Sequence, residues 1–227
     1  MILIAIPCYQ GQSKIEEVVR GARATGHPVL VVDDGSTDGS GPLAEAAGAT
    51  VLRHAGNHGK GAALATAFAY ARRKNADAVL TMDADGQHDP AEVEKLVAAH
   101  REEPRALVIG VRSFAAEDMP RRSRIGNTIS TWWISKFAGR EYRDTQSGFR
   151  VYPRALFAAV RLTSRRFDTE TELLLRAAKM ELPLIEVPIA TIYTADRVTH
   201  FHGFRDTLRV IRLVIGSPFW RRVETAE

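Results

Sequence analysis

The sequence predicts an α/β protein: one domain with a mostly parallel central sheet flanked by helices. Three observations carry this expectation. Short β-branched runs alternate with helical segments through the front of the chain, the pattern of a parallel sheet with helices packed on its faces. The 227 residues, 45% apolar and 26% charged, suffice for a proper core and exclude the low-hydrophobicity, high-charge class of disordered chains. No linker, internal repeat or low-complexity segment divides the chain.

In order, Ile2–Ile6, Val29–Asp33, Thr50–Arg53, Ala78–Asp83 and Leu107–Val111 read as buried strands. Ser13 with Glu16 three residues on forms a capping box, opening a helix that runs to about Ala24. Gly61–Arg73, rich in Ala, is a second helix. Asp89-Pro90-Ala91-Glu92 combines an N-cap, a Pro at the first helical position and a capping Glu, so a third helix starts there. The back half is less regular. It reads as a loop at Ser113–Arg122, a helix at Ile125–Phe137 and a strand at Gly148–Tyr152. Two further helices, Thr169–Lys179 and Phe204–Ile215, are separated by the strand Leu184–Ile189.

Composition narrows the function classes. Cys8 is the single cysteine, so neither an intramolecular disulfide nor a thiolate metal cluster is available, and a reducing compartment fits. No apolar run approaches the ~18 residues of a membrane helix. Met1-Ile2-Leu3-Ile4 lacks a basic n-region, so a cytoplasmic location is expected. Residues 1–100 hold 9 basic and 12 acidic side chains (−3), and residues 101–227 hold 22 and 15 (+7), so the back half is the one that faces anions. Of 31 basic residues only six are lysines, and the Arg fork suits phosphate oxygens; genomic composition would give the same bias.

Ligands of open α/β sheets bind beyond the carboxyl ends of the strands. There the chain places Ile6-Pro7-Cys8-Tyr9, Asp33-Asp34-Gly35-Ser36, Asn57-His58-Gly59-Lys60-Gly61 and Asp83-Ala84-Asp85. Each alone is ordinary turn chemistry; together at one sheet edge they point to a ligand. In Asp83-Ala84-Asp85-Gly86-Gln87, two carboxylates spaced i, i+2 around a tight turn can converge on Mg²⁺ or Mn²⁺, with the Gln87 amide oxygen as a third ligand and positions left for substrate phosphates. An EF-hand loop fails because His88 replaces its Gly. A phosphohydrolase with Asp-x-Asp after a strand stays as an alternative. Gly59-Lys60-Gly61-Ala62-Ala63-Leu64 is no dinucleotide fingerprint, having Leu64 at the third Gly position, and no P-loop, having His54 at the first. What survives is a Gly-rich helix entrance whose amides and Lys60 face a nucleotide or anion.

These motifs, with Asp144-Thr145-Gln146-Ser147-Gly148-Phe149-Arg150, Glu186-Val187-Pro188 and Thr199-His200-Phe201, occur in an order that resembles family 2 glycosyltransferases, closest to the dolichyl-phosphate mannose synthase-like polyprenyl-phosphate transferases. The resemblance runs from about residue 3 to 206. It implies a GT-A fold in a single Rossmann-like domain over 1–227, with a nucleotide-binding half (1–112), an acceptor half (113–206) and a C-terminal helix (207–227). It further implies a nucleotide-sugar donor, a divalent metal (Mg²⁺ or Mn²⁺) and inversion at the anomeric carbon. Carried over, Pro7, Tyr9 and Asp34 would hold base and ribose, and Asp33 would belong to the same nucleotide-sugar site. Asp83, Ala84, Asp85 and Lys60 would face the diphosphate, and Asp83, Asp85 and Gln87 the metal. Gly11 stands where many relatives have an acidic residue, and no C-terminal span follows.

For the acceptor, Arg121, Arg122 and Arg124 are candidates to hold a lipid phosphate, which needs desolvation and positioning rather than deprotonation; otherwise they form a solvated helix start. By resemblance Asp144 positions the acceptor or contacts the metal region, the alternative being an Asp that caps a turn, and one of Glu170 and Glu172, Glu172 in the first place, is an active-site carboxylate. Arg197 and His200 lie in a polar loop able to close over the diphosphate. Leu208, Ile211 and Ile215 lie on one helical face and Arg205, Arg209 and Arg212 on another, a pattern that suits either an anionic membrane surface or packing on the domain. Trp132-Trp133 divides in the same way between core and interface. The expected activity is transfer of a sugar from a nucleotide-sugar donor to a polyprenyl-phosphate or other lipid-linked acceptor, peripherally at the inner membrane face and without nucleic acid. A soluble hydroxyl acceptor and a non-catalytic nucleotide-sugar-binding module are the alternatives.

Overall fold

The structure, a computed structural model, describes residues 1–112, 121–164, 168–190 and 192. Along the chain run β1 (Ile2–Cys8), α1 (Ile15–Ala24), β2 (Val29–Asp33), α2 (Ser40–Ala46), β3 (Thr50–Arg53), α3 (Lys60–Arg73) and β4 (Ala78–Thr81). There follow α4 (Val93–Glu102), β5 (Leu107–Arg112), α5 (Arg121–Ala138), β6 (Arg150–Pro153), α6 (Arg154–Ala159), α7 (Asp168–Lys179) and β7 (Leu184–Ile189). The strands form one sheet in the order β3-β2-β1-β4-β6-β5-β7. β1 pairs in parallel with β2 and β4, β2 with β3, and β5 with β7, whereas β6 runs antiparallel to both β4 and β5.

The near-continuous apolar strands follow from burial on both faces. In β1, Ile2, Ile4, Ile6 and Cys8 point to one side, where Val18 and Val19 of α1 and Leu96 and Val97 of α4 cover them. Leu3 and Ala5 point to the other, toward Ala67 and Phe68 of α3 and Leu173 and Leu174 of α7. Ile15, Val18, Val19 and Ala22 supply α1 with the i, i+3, i+4, i+7 stripe that this packing needs. Alanines on α3 let it approach the sheet closely, and Phe68 fills the remaining space against Tyr152 and Phe157, at ring separations of 5.4 and 5.9 Å.

The chain winds outward from β1 through β2 to β3, then returns over α3 to β4 on the opposite side of β1. The switch point between β1 and β4 opens a crevice at their carboxyl ends. Loop 9–14 borders it and is fixed by the loop after β2. The Gln10 and Gly11 amides donate to the hydroxyls of Ser36 (3.0 Å) and Ser40 (2.9 Å), and the Gln12 amide donates to Asp38 (3.0 Å). Gly35 takes φ +77°, and a Cβ on it would lie 2.5 Å from the Gly56 backbone, so this close approach of two loops requires glycine.

Several local expectations change. The Ser13–Glu16 capping box does not form: α1 starts at Ile15 with Lys14 at the N-cap, and the Gly11 carbonyl accepts from both the Lys14 and Ile15 amides. Tying loop 9–14 to residues 36–40 moves the helix start past Ser13. Asp89 does cap, accepting from the Ala91 amide at 2.9 Å, but Pro90–Glu92 is a 3₁₀ turn ahead of α4. β4 ends at Thr81 rather than Asp83, whose amide turns to His88 Nδ1 (3.1 Å). β6 starts at Arg150 rather than Gly148, because the Gly148 carbonyl accepts from the Thr81 hydroxyl at 2.7 Å. α5 opens at Arg121, placing Arg121 and Arg122 on the helix instead of in a loop. α2 and α6 were not expected. The remainder of the loop over 113–120, the helix Phe204–Ile215, Arg197, His200 and the segment 207–227 lie outside the described residues. Among the described residues no helix is long and apolar enough to cross a membrane.

Candidate active site

At the switch point three charges meet. Lys60, at the start of α3, places Nζ 2.6 Å from Asp83 Oδ1 and 2.7 Å from Glu170 Oε1, in the first turn of α7. All three side chains are largely shielded, with 17%, 29% and 12% of their surface exposed. Gly148 forms the far wall: a Cβ there would sit 2.6 Å from Asp83 Oδ2, so only glycine lets the 144–149 loop close on this carboxylate. His88 lies behind it, its ring stacked on Phe149 with centroids 4.8 Å apart and planes 10° apart. Because His88 Nδ1 accepts from the Asp83 amide, the ring proton belongs on Nε2, 3.9 Å from Asp83 Oδ2.

The two acids of the Asp83–Asp85 pair are shifted in opposite directions. Burial opposes ionisation of Asp83, but the Lys60 ammonium outweighs it and holds the carboxyl at about 2. Asp85, beyond the strand and more exposed, is pushed up by partial burial and by the neighbouring Asp83 charge. Anionic crowding of this kind suits a divalent cation. The Gln87 amide orients Asp85 by donating to Oδ1 at 3.0 Å, while the Gln87 carbonyl accepts from Ile192 N at 3.0 Å. Among the described residues no three His, Cys, Asp or Glu side chains form a metal cage. Asp83 and Asp85 are the carboxylates that could hold a divalent ion at the crevice. Cys8, buried beneath Gly11, is pushed up to about 11 by burial, a protonated thiol rather than a ligand or nucleophile.

Asp144 is fully buried, and its oxygens are committed. Arg112 at the end of β5 grips both, Nε to Oδ2 at 2.7 Å and Nη2 to Oδ1 at 3.0 Å, and the Gln146 and Ser147 amides add bonds of 2.9 and 3.1 Å. Burial would raise its pKa; the Arg112 fork outweighs this and keeps it below the usual carboxylate range. Asp144 therefore organises the 144–149 loop rather than offering a free base. Glu172 is likewise buried and turned away from Asp83, accepting from Thr163, the Ser164 amide (2.8 Å) and Arg176 (2.8 Å). Of the two glutamates it is Glu170 that the structure brings to Asp83, because α7 begins at Asp168 and its first turn abuts the crevice. Arg150 is a further positioning residue that sequence reading did not single out. Fully buried, it donates to the carbonyls of Thr145 (2.8 Å), Ser147 (2.7 Å) and Glu170 (3.0 Å), tying the 144–149 loop to the start of α7. The signal for it was an arginine inside the apolar run Phe149-Arg150-Val151-Tyr152.

On the β1–β2 side of the crevice, Pro7 is half-buried near the end of β1 and Tyr9, 39% exposed, follows it. Ala84 lies between the two acids and near Gly11. Asp33 does not reach the crevice: it is fully buried, accepting from the Ser36 amide (2.8 Å) and facing Arg53 Nε (3.4 Å). Asp34 closes the 54–59 loop through the Gly59 amide (2.6 Å), the His58 amide (3.1 Å) and His54 Nδ1 (2.6 Å). His54 Nε2 accepts in turn from the Thr66 hydroxyl at 2.9 Å, so Asp34, His54 and α3 form one connected chain. Along it opens a cleft of about 330 Å³ lined by His54, His58, Thr66, Leu162 and Ser164. Arg121, Arg122 and Arg124 lie on the first turns of α5, but their side chains, like Arg197, lie outside the described residues.

Comparisons with known proteins show the family and the fold. The model of Glycosyl transferase family 2 matches residues 3–160. The UDP-N-acetylglucosamine–dolichyl-phosphate N-acetylglucosaminyltransferase of Methanococcus voltae is 27% identical over 96% of this chain and 97% of its own length. The polyprenol monophosphomannose synthase of Mycolicibacterium smegmatis is 30% identical over 82% of this chain and 76% of its own. A solved structure of glucosyl-3-phosphoglycerate synthase from Mycobacterium tuberculosis, in complex with Mn²⁺, UDP-glucose and phosphoglyceric acid, shares the fold with a TM-score of 0.72, at 19% identity over 96% of this chain and 78% of that one. The chain accordingly belongs to the family 2 glycosyltransferases, as a glycosyltransferase of GT-A fold resembling dolichyl-phosphate mannose synthase.

Proposed function

We propose that this enzyme moves a sugar, with inversion, from a nucleotide-sugar donor to a polyprenyl phosphate or related lipid-linked acceptor at the inner face of the cytoplasmic membrane, with Mg²⁺ or Mn²⁺ held by Asp83 and Asp85. The observation that carries the reading is the Asp83–Lys60–Glu170 cluster beside the more exposed Asp85, at the switch point of the sheet. Lipid-phosphate acceptors appear in the names of relatives that match most of the chain. Asp83 and Asp85 would hold a divalent ion, which when bound would supply charge neutralisation for the departing diphosphate.

The chain's own residues do the rest. Lys60 keeps Asp83 ionised and so ready to ligate. Arg112, Asp144 and Arg150 fix the 144–149 loop, whose Gly148 closes on Asp83 and sets the width of the crevice. Glu170, held by Lys60, is the carboxylate at the reacting end. A phosphate monoester is already anionic, so it needs no base; it needs orientation, the role proposed for Arg121, Arg122 and Arg124, while Arg197 is proposed to close over the donor diphosphate. Tyr9 and Pro7 flank the nucleotide base.

The test combines transfer and binding. With a panel of nucleotide sugars and a short polyprenyl phosphate, the protein yields a glycosylated lipid and a nucleoside diphosphate. Asp85→Ala abolishes metal-dependent nucleoside-diphosphate binding by calorimetry with an unchanged circular dichroism spectrum. Unaltered binding in that variant, or phosphate release from simple phosphomonoesters without sugar transfer, overturns the proposal.

A further inference from the structure

The outward side of α5 carries the largest cluster of exposed apolar rings among the described residues. Trp132, Trp133 and Phe137 expose 55%, 47% and 36% of their surfaces. They are one patch, not scattered residues: the indoles meet edge to face with centroids 4.8 Å apart, and Phe137 lies 6.1 Å from Trp133. Lys136 leans across both indoles, Nζ 5.2 Å from the Trp132 ring and 5.9 Å from the Trp133 ring.

The opposite side of the helix already does the folding work. Ile134 is fully buried in the core, the Ser135 hydroxyl accepts from the Tyr142 amide (3.0 Å), and Thr131 bonds Thr145 (2.9 Å). The exposed parts of these rings are left over from closing the domain, and contiguous apolar surface of this kind marks an interaction site.

We infer that this face of α5 is a docking surface for an anionic lipid bilayer. Two features select that occupant over a protein partner. Indole rings with a cation laid along them are the composition that settles at the headgroup level of a membrane, where one end of each group is apolar and the other wet. The sequence of α5, Arg121–Ala138, holds four cations (Arg121, Arg122, Arg124 and Lys136) and no Asp or Glu, so its charge is complementary to acidic headgroups along its whole length. Position agrees with use. Besides the Thr131–Thr145 bond, Gln146 Nε2 donates to Ser130 Oγ at 3.4 Å, so the docking helix is fastened to the loop that walls the active site. The inference draws its purpose from the proposed lipid acceptor, but its test is independent of it.

The chain has three tryptophans, so in Trp220→Phe the emission reports only Trp132 and Trp133. Added to vesicles of phosphatidylcholine with phosphatidylglycerol, this variant shows a blue-shifted emission that brominated lipids quench. Vesicles of phosphatidylcholine alone give a weaker response, by roughly fivefold in partition for each engaged cation. In the Trp220-containing chain, Trp132→Ala with Trp133→Ala lowers vesicle partition by at least about tenfold, since each ring withdrawn from water contributes on that order. Donor affinity and turnover of a short, water-soluble acceptor stay at parental values. Three results overturn the inference: no vesicle-induced change in emission, equal vesicle binding by the double variant, or an emission change that follows protein concentration without lipid, which assigns the patch to a second copy. Vesicle binding without sugar transfer to a polyprenyl phosphate refutes the acceptor assignment and leaves the docking surface standing.

Discussion

Replacing Lys60 by Met removes the cation between Asp83 and Glu170 and nothing else of comparable volume. In the parent, the fall of the Asp83 pKa from an ordinary 3.8 to about 2 corresponds to roughly 2 kcal/mol, since each tenfold change in acidity is worth a little over 1 kcal/mol. Breaking a fully buried pair costs about 3–5 kcal/mol, and the partial exposure of these side chains places the expected loss below that, at about 2–3 kcal/mol near pH 7. The sign with pH follows from linkage. A depressed carboxyl pKa contributes stability that is fully present above the unfolded value, near 3.8, and is lost as pH falls through about 2. The parent thus keeps most of this contribution at pH 4. In Lys60→Met two carboxylates face each other without a counter-charge, and uptake of a proton relieves them as pH falls. The difference between variant and parent should therefore narrow by about 1 kcal/mol between pH 7 and pH 4. Urea unfolding of both proteins at the two pH values, with slopes compared to verify two-state behaviour, measures this directly. A difference at pH 7 below about 0.5 kcal/mol, the size of an ordinary surface substitution, or one that does not change with pH, refutes the electrostatic account.

Two other predictions concern the walls of the site. Gly148→Ala drives a methyl group to within 2.6 Å of Asp83 Oδ2 while Thr81 holds the Gly148 carbonyl; calorimetry should show metal-dependent nucleoside-diphosphate binding weakened at least tenfold, with a stability loss of about 1–3 kcal/mol, and parental binding would contradict the packing described. Arg112→Gln leaves Asp144 buried without its counter-charge, for an expected loss of about 3–5 kcal/mol in urea, whereas Arg112→Lys, which keeps the charge but loses the fork, should cost clearly less; equal losses would show that the bidentate geometry does no more than any cation.

Much of the front half was legible because its signals are local. Alternation and β-branching located β1 to β5, and turn residues marked the crevice that the switch point creates. Legibility faded where a residue's role depends on distant partners. Ser13 and Glu16 spell a capping box, yet loop 9–14 is held by Ser36, Asp38 and Ser40, which no local pattern reveals. α2 opens on Ser40-Gly41-Pro42, which reads as a turn until Gly39 in the left-handed region starts the helix. Glu170 and Glu172 are equivalent by spacing; only the placement of α7 against Lys60 separates the one at the crevice from the one bonded to Thr163 and Arg176. Asp33 and Asp34 are adjacent letters that the pleat sends apart, one into the protein interior and the other to the 54–59 loop. Arg150 was visible only as a charge in an apolar strand, and its three carbonyl acceptors come from two separate segments.

The reversed strand β6 bears on how the protein is made. By the time β4 leaves the ribosome, β1, β2 and β3 have their partners, but the free side of β4 must wait for a strand whose nearest tie, Thr81 to Gly148, spans 67 residues. During that interval β4 is a bare apolar edge, the kind of surface on which nascent chains aggregate. The same delay leaves Asp83 without its glycine wall and His88 without Phe149 to stack on. Donor-binding competence is therefore acquired late in synthesis, and a product truncated before Pro153 is an aggregation hazard rather than a smaller working enzyme. Ribosome-arrested chains ending before and after β6 would display the difference as a change in protease resistance of the front half.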